Sequence, residues 1–135
     1  MEMTQTLRPE SRVVNGVAIN VDLMALPSLI DGCDTIPKLF AQRCEELGQR
    51  TAHREKDLGI WKSYSWADYW EGAQRIGAAL HTLGLARGDT VSVLSEDLRE
   101  WAYFDMGIQG MGGICSGVYT TDSAAQLAYL LQDSQ

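Results

Sequence analysis

Two short apolar strands separated by one amphipathic helix constrain this chain more than any other feature. Residues 90–95, Thr-Val-Ser-Val-Leu-Ser, have the look of a buried strand, and helical spacing follows from Leu98 through Trp101, Phe104, Asp105 and Ile108. Beyond Gly110, Met111, Gly112 and Gly113, residues 114–119 read as a second strand, and a helix from about Ser123 carries Leu127, Leu130 and Leu131. Strand, helix, strand, helix at this spacing requires parallel strands joined by right-handed crossovers. Parallel sheets are covered on both faces and are rarely two strands alone, so the pattern predicts an α/β fold whose sheet is incomplete within these 135 residues.

The upstream half adds local signals. Thr35 as N-cap, Pro37 in the first turn and Gly48 as a stop frame a helix with Ile36, Leu39, Phe40, Cys44 and Leu47 at helical spacing. Residues 51–56 and 60–64 flank an Asp57-Leu58-Gly59 turn and predict a β-hairpin, with Trp61 and Tyr64 as strand-favouring aromatics. Ser65 with Asp68 three residues later is a capping-box start, and Tyr69, Ala73, Ile76, Leu80 and Leu83 then form a helical stripe up to Gly84. Before Thr35, Val17, Ile19 and Val21 alternate like a short strand after an Asn15-Gly16 turn signal, and residues 26–32 read as a connector. Residues 1–34 are thus a lead-in to a more regular segment, 35–135.

Composition removes several function classes. With 45% hydrophobic and 21% charged residues the chain is globular in character. A net charge of −7 repels phosphate backbones and anionic headgroups at long range, so neither a nucleic acid nor a membrane surface is expected as a partner. Arg43, Arg50 and Arg54 are the nearest approach to a basic cluster, but glutamates interrupt them and they read as a solvated face. No apolar run reaches the roughly 18–20 residues that span a bilayer, and the opening MEMTQTLRPESR lacks an apolar signal core, which predicts no transmembrane segment and a cytoplasmic location. Cys33, Cys44 and Cys115 are an odd set without paired spacing and suit reduced thiols.

Each chemically suggestive motif has a simpler structural explanation. Gly107, Gly110, Gly112 and Gly113 close a helix and precede a strand, the reverse of a dinucleotide fingerprint, so a helix stop and close helix–sheet packing are expected of them. Thr120, Thr121 and Ser123 precede the last helix without a lysine and beside Asp122, which favours capping over phosphate binding. His53 and His81 have no partner at metal-ligand spacing, and Cys115 reads as a small core residue. Glu45-Glu46 and Glu96-Asp97 are adjacent in sequence, so their side chains diverge and cannot converge on one substrate. Trp61, Trp66, Trp70 and Trp101 could form a ligand platform but are expected to be core.

Taken in order, these features resemble a known family. Tyr64-Ser65-Trp66-Ala67-Asp68, Ala78-Ala79-Leu80, Leu83-Gly84-Leu85, and Arg87-Gly88-Asp89-Thr90-Val91 are followed by Glu100-Trp101, Gly112-Gly113-Ile114-Cys115 and Gly117-Val118-Tyr119. The run closes with residues 125–134, Ala-Gln-Leu-Ala-Tyr-Leu-Leu-Gln-Asp-Ser. Residues 63–135, and more loosely 35–135, resemble the N-terminal region of the AMP-forming acyl-CoA synthetases of the adenylate-forming superfamily. Gly-x-Tyr at 117–119 is most like the long-chain fatty acid–CoA ligases, although Thr120 stands where proline is common.

The resemblance implies an α/β fold: a partial N-terminal subdomain with a β-hairpin and parallel βαβ units, forming the truncated first part of an AMP-binding domain. It implies that the complete enzyme adenylates a fatty acid with ATP and Mg2+ and then transfers the acyl group to coenzyme A. The family's phosphate loop, adenine-binding motifs and catalytic lysine fall after the region matched. No catalytic, cofactor-binding or metal-binding residue is therefore assigned, no cofactor is expected of this chain alone, and its expected partner is the remainder of the synthetase. A non-catalytic α/β interaction module derived from such an enzyme is the alternative, and a small nucleotide-binding protein a weaker one.

Overall fold

Capping and turn chemistry set where the elements begin and end. The computed structural model describes residues 12–14, 17–19 and 29–134. Strands β1 (Arg12–Val14) and β2 (Val17–Ile19) pair antiparallel with Val14 opposite Val17, which places a strand where Val17 and Ile19 predict one. Val21, Asn15, Gly16 and residues 26–28 of the expected connector lie outside the described residues. The rest of that connector is a tight turn, in which Ile30 and Cys33 exchange backbone hydrogen bonds of 2.9 Å.

Helix α1 (Ile36–Leu47) starts at Thr35 and ends at Gly48, as its sequence predicts, but the Thr35 side chain makes no capping hydrogen bond. Of its apolar stripe only Phe40 and Cys44 are buried, and Ile36 is 54% exposed. The predicted hairpin forms from β3 (Thr51–Asp57) and β4 (Ile60–Ser65), each one residue longer at its C-terminal end than expected. Its loop is Leu58-Gly59, both at positive φ (47° and 83°), as a two-residue turn compatible with the twist of the strands requires.

Helix α2 (Trp66–Thr82) opens with the predicted capping box. The Asp68 N–H donates to Ser65 Oγ at 3.1 Å, and the Ser65 N–H donates to the Asp68 carboxylate at 2.7 Å. These bonds hold the Asp68 carboxyl below its ordinary range, the backbone donor contributing most. The stripe fails at one end: Leu83 is 84% exposed, because the helix has already stopped at Thr82 and the chain no longer follows its periodicity.

Strand β5 (Thr90–Leu94), helix α3 (Arg99–Gly110) and strand β6 (Ile114–Val118) form the parallel βαβ unit, with Thr90 opposite Ile114 and Leu94 opposite Val118. Helix α4 (Ala124–Asp133) follows, and its capping box of Ser123 and Gln126 bears out the capping reading of Ser123. The fold is therefore a mixed α/β arrangement with one antiparallel and one parallel two-stranded sheet beside the β1–β2 pair, and no closed sheet among the described residues.

The core lies on both sides of α3. On one side Phe40, Cys44 and Ala73 pack with Trp66, Tyr69 and Met106, and on the other Val93 and Val118 are buried in the two parallel strands. Gly107 corrects an expectation. It allows helix–helix packing rather than helix–sheet packing, since a Cβ there would lie 2.8 Å from the Ala73 carbonyl oxygen and 3.1 Å from the Gly77 nitrogen of α2. Gly113 does make the close approach to α3 that was expected, its Cβ position being 3.0 Å from Ile108 Cγ2.

Candidate functional site

In open parallel α/β sheets ligands bind outside the carboxyl ends of the strands. Here that edge is built by the segments after β5 and β6. The Thr120 hydroxyl donates to Glu96 Oε1 at 2.7 Å, tying the two segments together, and the Tyr119 N–H donates to the Asp122 carboxylate at 3.2 Å. Beneath them a cleft of about 350 Å³ is lined by Asp97, Trp101, Gly117, Val118 and Tyr119. Gly117 gives it shape: a Cβ there would lie 3.1 Å from the Trp101 ring, so only glycine lets the indole approach the strand so closely.

A second cleft, of about 630 Å³, shares Asp97 and Trp101 and runs between β3 and the start of α3. Arg99 anchors its floor. The guanidinium donates to Glu55 at 2.5 Å, pairs with Glu100 at 2.7 Å, and sits 4.0 Å above the Tyr64 ring. This cation is the link between the hairpin and α3, and nothing in the sequence singled it out, because Glu55 is 44 positions away.

His53 lies behind this link. Its ring makes edge contacts with Tyr69 (4.4 Å between centroids) and Tyr103 (6.0 Å), and its Nε2 is buried without a hydrogen-bonding partner among the described residues. Burial first, and the Arg99 charge second, lower its pKa below the ordinary 6.5. The folded state thus resists protonation while the unfolded chain accepts it near 6.5. Stability should be fully present above about pH 6.5 and fall as pH drops through the native value. Thermal melts of the His53→Phe variant should lack this loss between neutral and mildly acid pH. An unchanged pH profile in the variant would assign the acid sensitivity elsewhere.

The remaining motif residues have structural roles. Asp89 accepts a hydrogen bond from the Ala86 N–H at 2.8 Å, and its own carbonyl accepts from Ile114 at 2.8 Å, so the Arg87-Gly88-Asp89 turn fastens β5 to β6. The thiols of Cys44 and Cys115 are both pushed up to about 11, by burial first and, for Cys115, by Asp105 as well. Both are protonated at neutral pH, a poor state for nucleophilic attack. Glu45, Glu46, Glu96 and Asp97 are exposed. Arg43 is engaged by Asp31 and Glu46.

The four tryptophans do not form one platform, nor are they all core. Trp66 packs on the core, Trp101 walls the clefts, Trp70 is 36% exposed beside Phe40, and Trp61 is 65% exposed on the hairpin. Trp61 departs from the expectation because the hairpin meets α2 and α3 through the face that carries His53 and Glu55, and Trp61 lies on the opposite face.

Comparison with known proteins agrees with this architecture. The profile of the AMP-binding enzyme family matches residues 40–135. The long-chain-fatty-acid–CoA ligase ACSBG2 of Mus musculus is 31% identical over 100 residues, covering 74% of this chain and 15% of that protein. Its Xenopus laevis counterpart is 30% identical over 114 residues, covering 84% of this chain and again 15% of the relative. Among solved structures, the inhibitor-bound N-terminal domain of FACL13 from Mycobacterium tuberculosis superposes with a TM-score of 0.68 at 24% identity, over 73% of this chain and 24% of that one. The anthranilate CoA ligase AuaEII in complex with anthranoyl-AMP gives 0.66 at 24% identity, over 73% and 18% of the two chains. The chain thus spans about 15% of the length of the curated relatives it matches.

Proposed function

Because the chain belongs to the AMP-binding enzyme family, we propose that it is the N-terminal α/β portion of an ATP-dependent, AMP-forming long-chain fatty acid–CoA ligase. The supporting observation is the 31% identity over 100 residues to a long-chain-fatty-acid–CoA ligase. The complete enzyme would use ATP, Mg2+ and coenzyme A on a fatty acid in the cytoplasm, and the chain's partner would be the rest of that polypeptide.

The residues at the carboxyl edge do not themselves fit a nucleoside triphosphate. The cleft is walled by Asp97, Trp101 and Tyr119, with Glu96 alongside, so carboxylates stand where phosphate oxygens would need cations. The role of this portion is to supply β5, β6 and α3 as a packed wall, and the groups that hold phosphate come from elsewhere in the enzyme. An exposed parallel edge and a helix α4 that buries no residue suit a segment that continues into further structure.

The test compares this chain with a product extended through the downstream coding sequence, each supplied with palmitate, ATP and coenzyme A. The extended product should release AMP and form palmitoyl-CoA, and the 135-residue chain should form neither. Thioester formation by the short chain would overturn the scaffold reading, and an extended product active on aryl acids but not fatty acids would overturn the substrate class. A short chain that is monodisperse and melts cooperatively, with no enzyme encoded downstream, would favour the interaction module.

A further inference from the structure

The β3–β4 hairpin is tied to the helices through one small patch. Thr51 stands opposite Ser65 and His53 opposite Tyr64, so Ala52 is an extra residue, a bulge of the kind at which strands bend. Below the bulge the base is fixed: the Trp66 N–H donates to the Arg50 carbonyl at 3.0 Å and the Ala67 N–H to the Gly48 carbonyl at 2.9 Å. Above it, cross-strand partners share a face, and the inner face carries His53 with Tyr64 and Glu55 with Lys62. This face meets α2 and α3 through the His53 contacts with Tyr69 and Tyr103, and through Arg99, which binds Glu55 and covers the Tyr64 ring. The outer face carries Arg54, Lys56, Trp61 and Ser63, all exposed and none acidic, so nothing among the described residues holds the hairpin from that side.

The patch is built around a neutral imidazole. Burial disfavours the charged form of His53, and Arg99 on α3 repels it. A proton on Nε2 would find no acceptor among the described residues. Glu55 on the same face is already engaged by Arg99, and the Tyr69 hydroxyl donates to the Ala102 carbonyl at 3.3 Å. Of the other carboxylates near this cluster, Asp68 and Glu100 act on Tyr103 and Asp105 on Tyr69, and none of them reaches the imidazole.

We propose that the hairpin is an acid-released arm: protonation of His53 swings β3 and β4 away from α2 and α3 about the Ala52 bulge while the helix core stays folded. A buried cation without an acceptor must reach water. The least costly route frees the element that carries it, because the inner-face contacts are few, whereas α2 and α3 are locked together where Gly107 meets Ala73 and Gly77. Once released, the arm loses its own order, since an isolated two-stranded hairpin is marginal in water. Release also removes the β3 wall of the cleft of about 630 Å³, which shares Asp97 and Trp101 with the cleft at the carboxyl edge. The arm thereby sets how open that side of the candidate site is.

Native-state hydrogen exchange on the 135-residue chain, compared at about pH 7.5 and about pH 5.5 and corrected for intrinsic exchange rates, tests this. Protection of the β3 and β4 amides should fall several-fold at the lower pH. The ceiling is about tenfold, the most that one group ionising near 6.5 when released can give one pH unit lower. The amides of Ala73, Gly77, Gly107 and Ile108 should keep their protection. The imidazole resonances of His53 should follow the same pH curve as the hairpin amides, with the exposed His81 as the reference. His53→Phe and His53→Gln should each make hairpin protection independent of pH, and Arg99→Gln should lower it at both pH values.

Hairpin protection that is equal at the two pH values would overturn the proposal. So would an equal loss in the helices, which marks global unfolding, or an acid loss that persists in both His53 variants, which places the titrating group elsewhere, Glu55 first.

Discussion

Gly107→Val is expected to unfold the chain at a denaturant concentration well below that of the wild type, with a loss of about 3 kcal/mol or more, the upper end of overpacking effects. Gly107 is buried where α3 crosses α2, and its Cβ position is 2.8 Å from the Ala73 carbonyl oxygen, 3.1 Å from the Gly77 nitrogen and 3.1 Å from Ile76 Cβ. Two of these three are backbone atoms, so no rotamer change relieves the clash and the helices must separate. That separation would loosen Phe40, Ala73, Tyr69 and Met106 together, since they form one cluster.

Two controls isolate the steric cause. Gly107→Ala should lose about 1–2 kcal/mol, because the clash is partly offset by the helix propensity that alanine gains over glycine. Gly110→Ala, three residues on in the same helix with nothing within 4 Å of its Cβ, should instead gain up to about 1 kcal/mol. Urea melts followed by circular dichroism read all three. If Gly107→Val and Gly110→Ala shift the midpoint alike, the crossing is not where the helices are held.

Ile108→Ala should cost about 2–4 kcal/mol, in the usual range for a fully buried isoleucine. Ile108 is 0% exposed, the largest side chain buried to that degree among the described residues, and its Cγ2 reaches 3.0 Å from the Cβ position of Gly113, just ahead of β6. It packs toward Gly113 and the start of β6 while Gly107 packs on α2, so the two residues load different sides of one helix. Truncation leaves a cavity that the backbone at residues 108–113 cannot readily fill, because Gly113 already donates its N–H to the Ile108 carbonyl at 3.0 Å. Ile108→Val should cost about 0.5–1.5 kcal/mol and Leu83→Ala less than about 0.5 kcal/mol. The Leu83 control is informative because its helical spacing ranks it with the core, yet it is 84% exposed. A loss at Leu83 as large as that at Ile108 would mean that the core is misplaced.

Both substitutions also bear on the candidate site. Trp101 lies on α3, so a helix displaced from β6 would withdraw the indole from Gly117 and open the cleft beneath Tyr119. Indole fluorescence should register this change before the chain unfolds.

Much of the fold was legible because its signals are local. Ser65 with Asp68 and Ser123 with Gln126 are three residues apart, and Leu58-Gly59 lies between adjacent strands, so each motif carries its own instruction. The parallel pair was legible too, since a strand, a crossover helix and a strand leave little choice of topology. What escaped notice depended on distant partners. Arg99 is unremarkable in sequence and becomes the tie between hairpin and helix only when Glu55 and Tyr64 are folded against it. His53 reads as a strand residue, and its unpartnered Nε2 follows from Tyr69 and Tyr103 closing over it.

By itself the sequence determined the order of elements from α1 to α4, the caps of α2 and α4, the hairpin, the parallel βαβ unit and the family, because periodicity and capping act over a few residues. The tertiary structure alone decided which glycines permit close packing and which do not, which tryptophans are covered, and which face of the hairpin is left basic. Those outcomes depend on what lies opposite each side chain. Periodicity gives a residue its direction on an element, but only the packing of the elements supplies its neighbour.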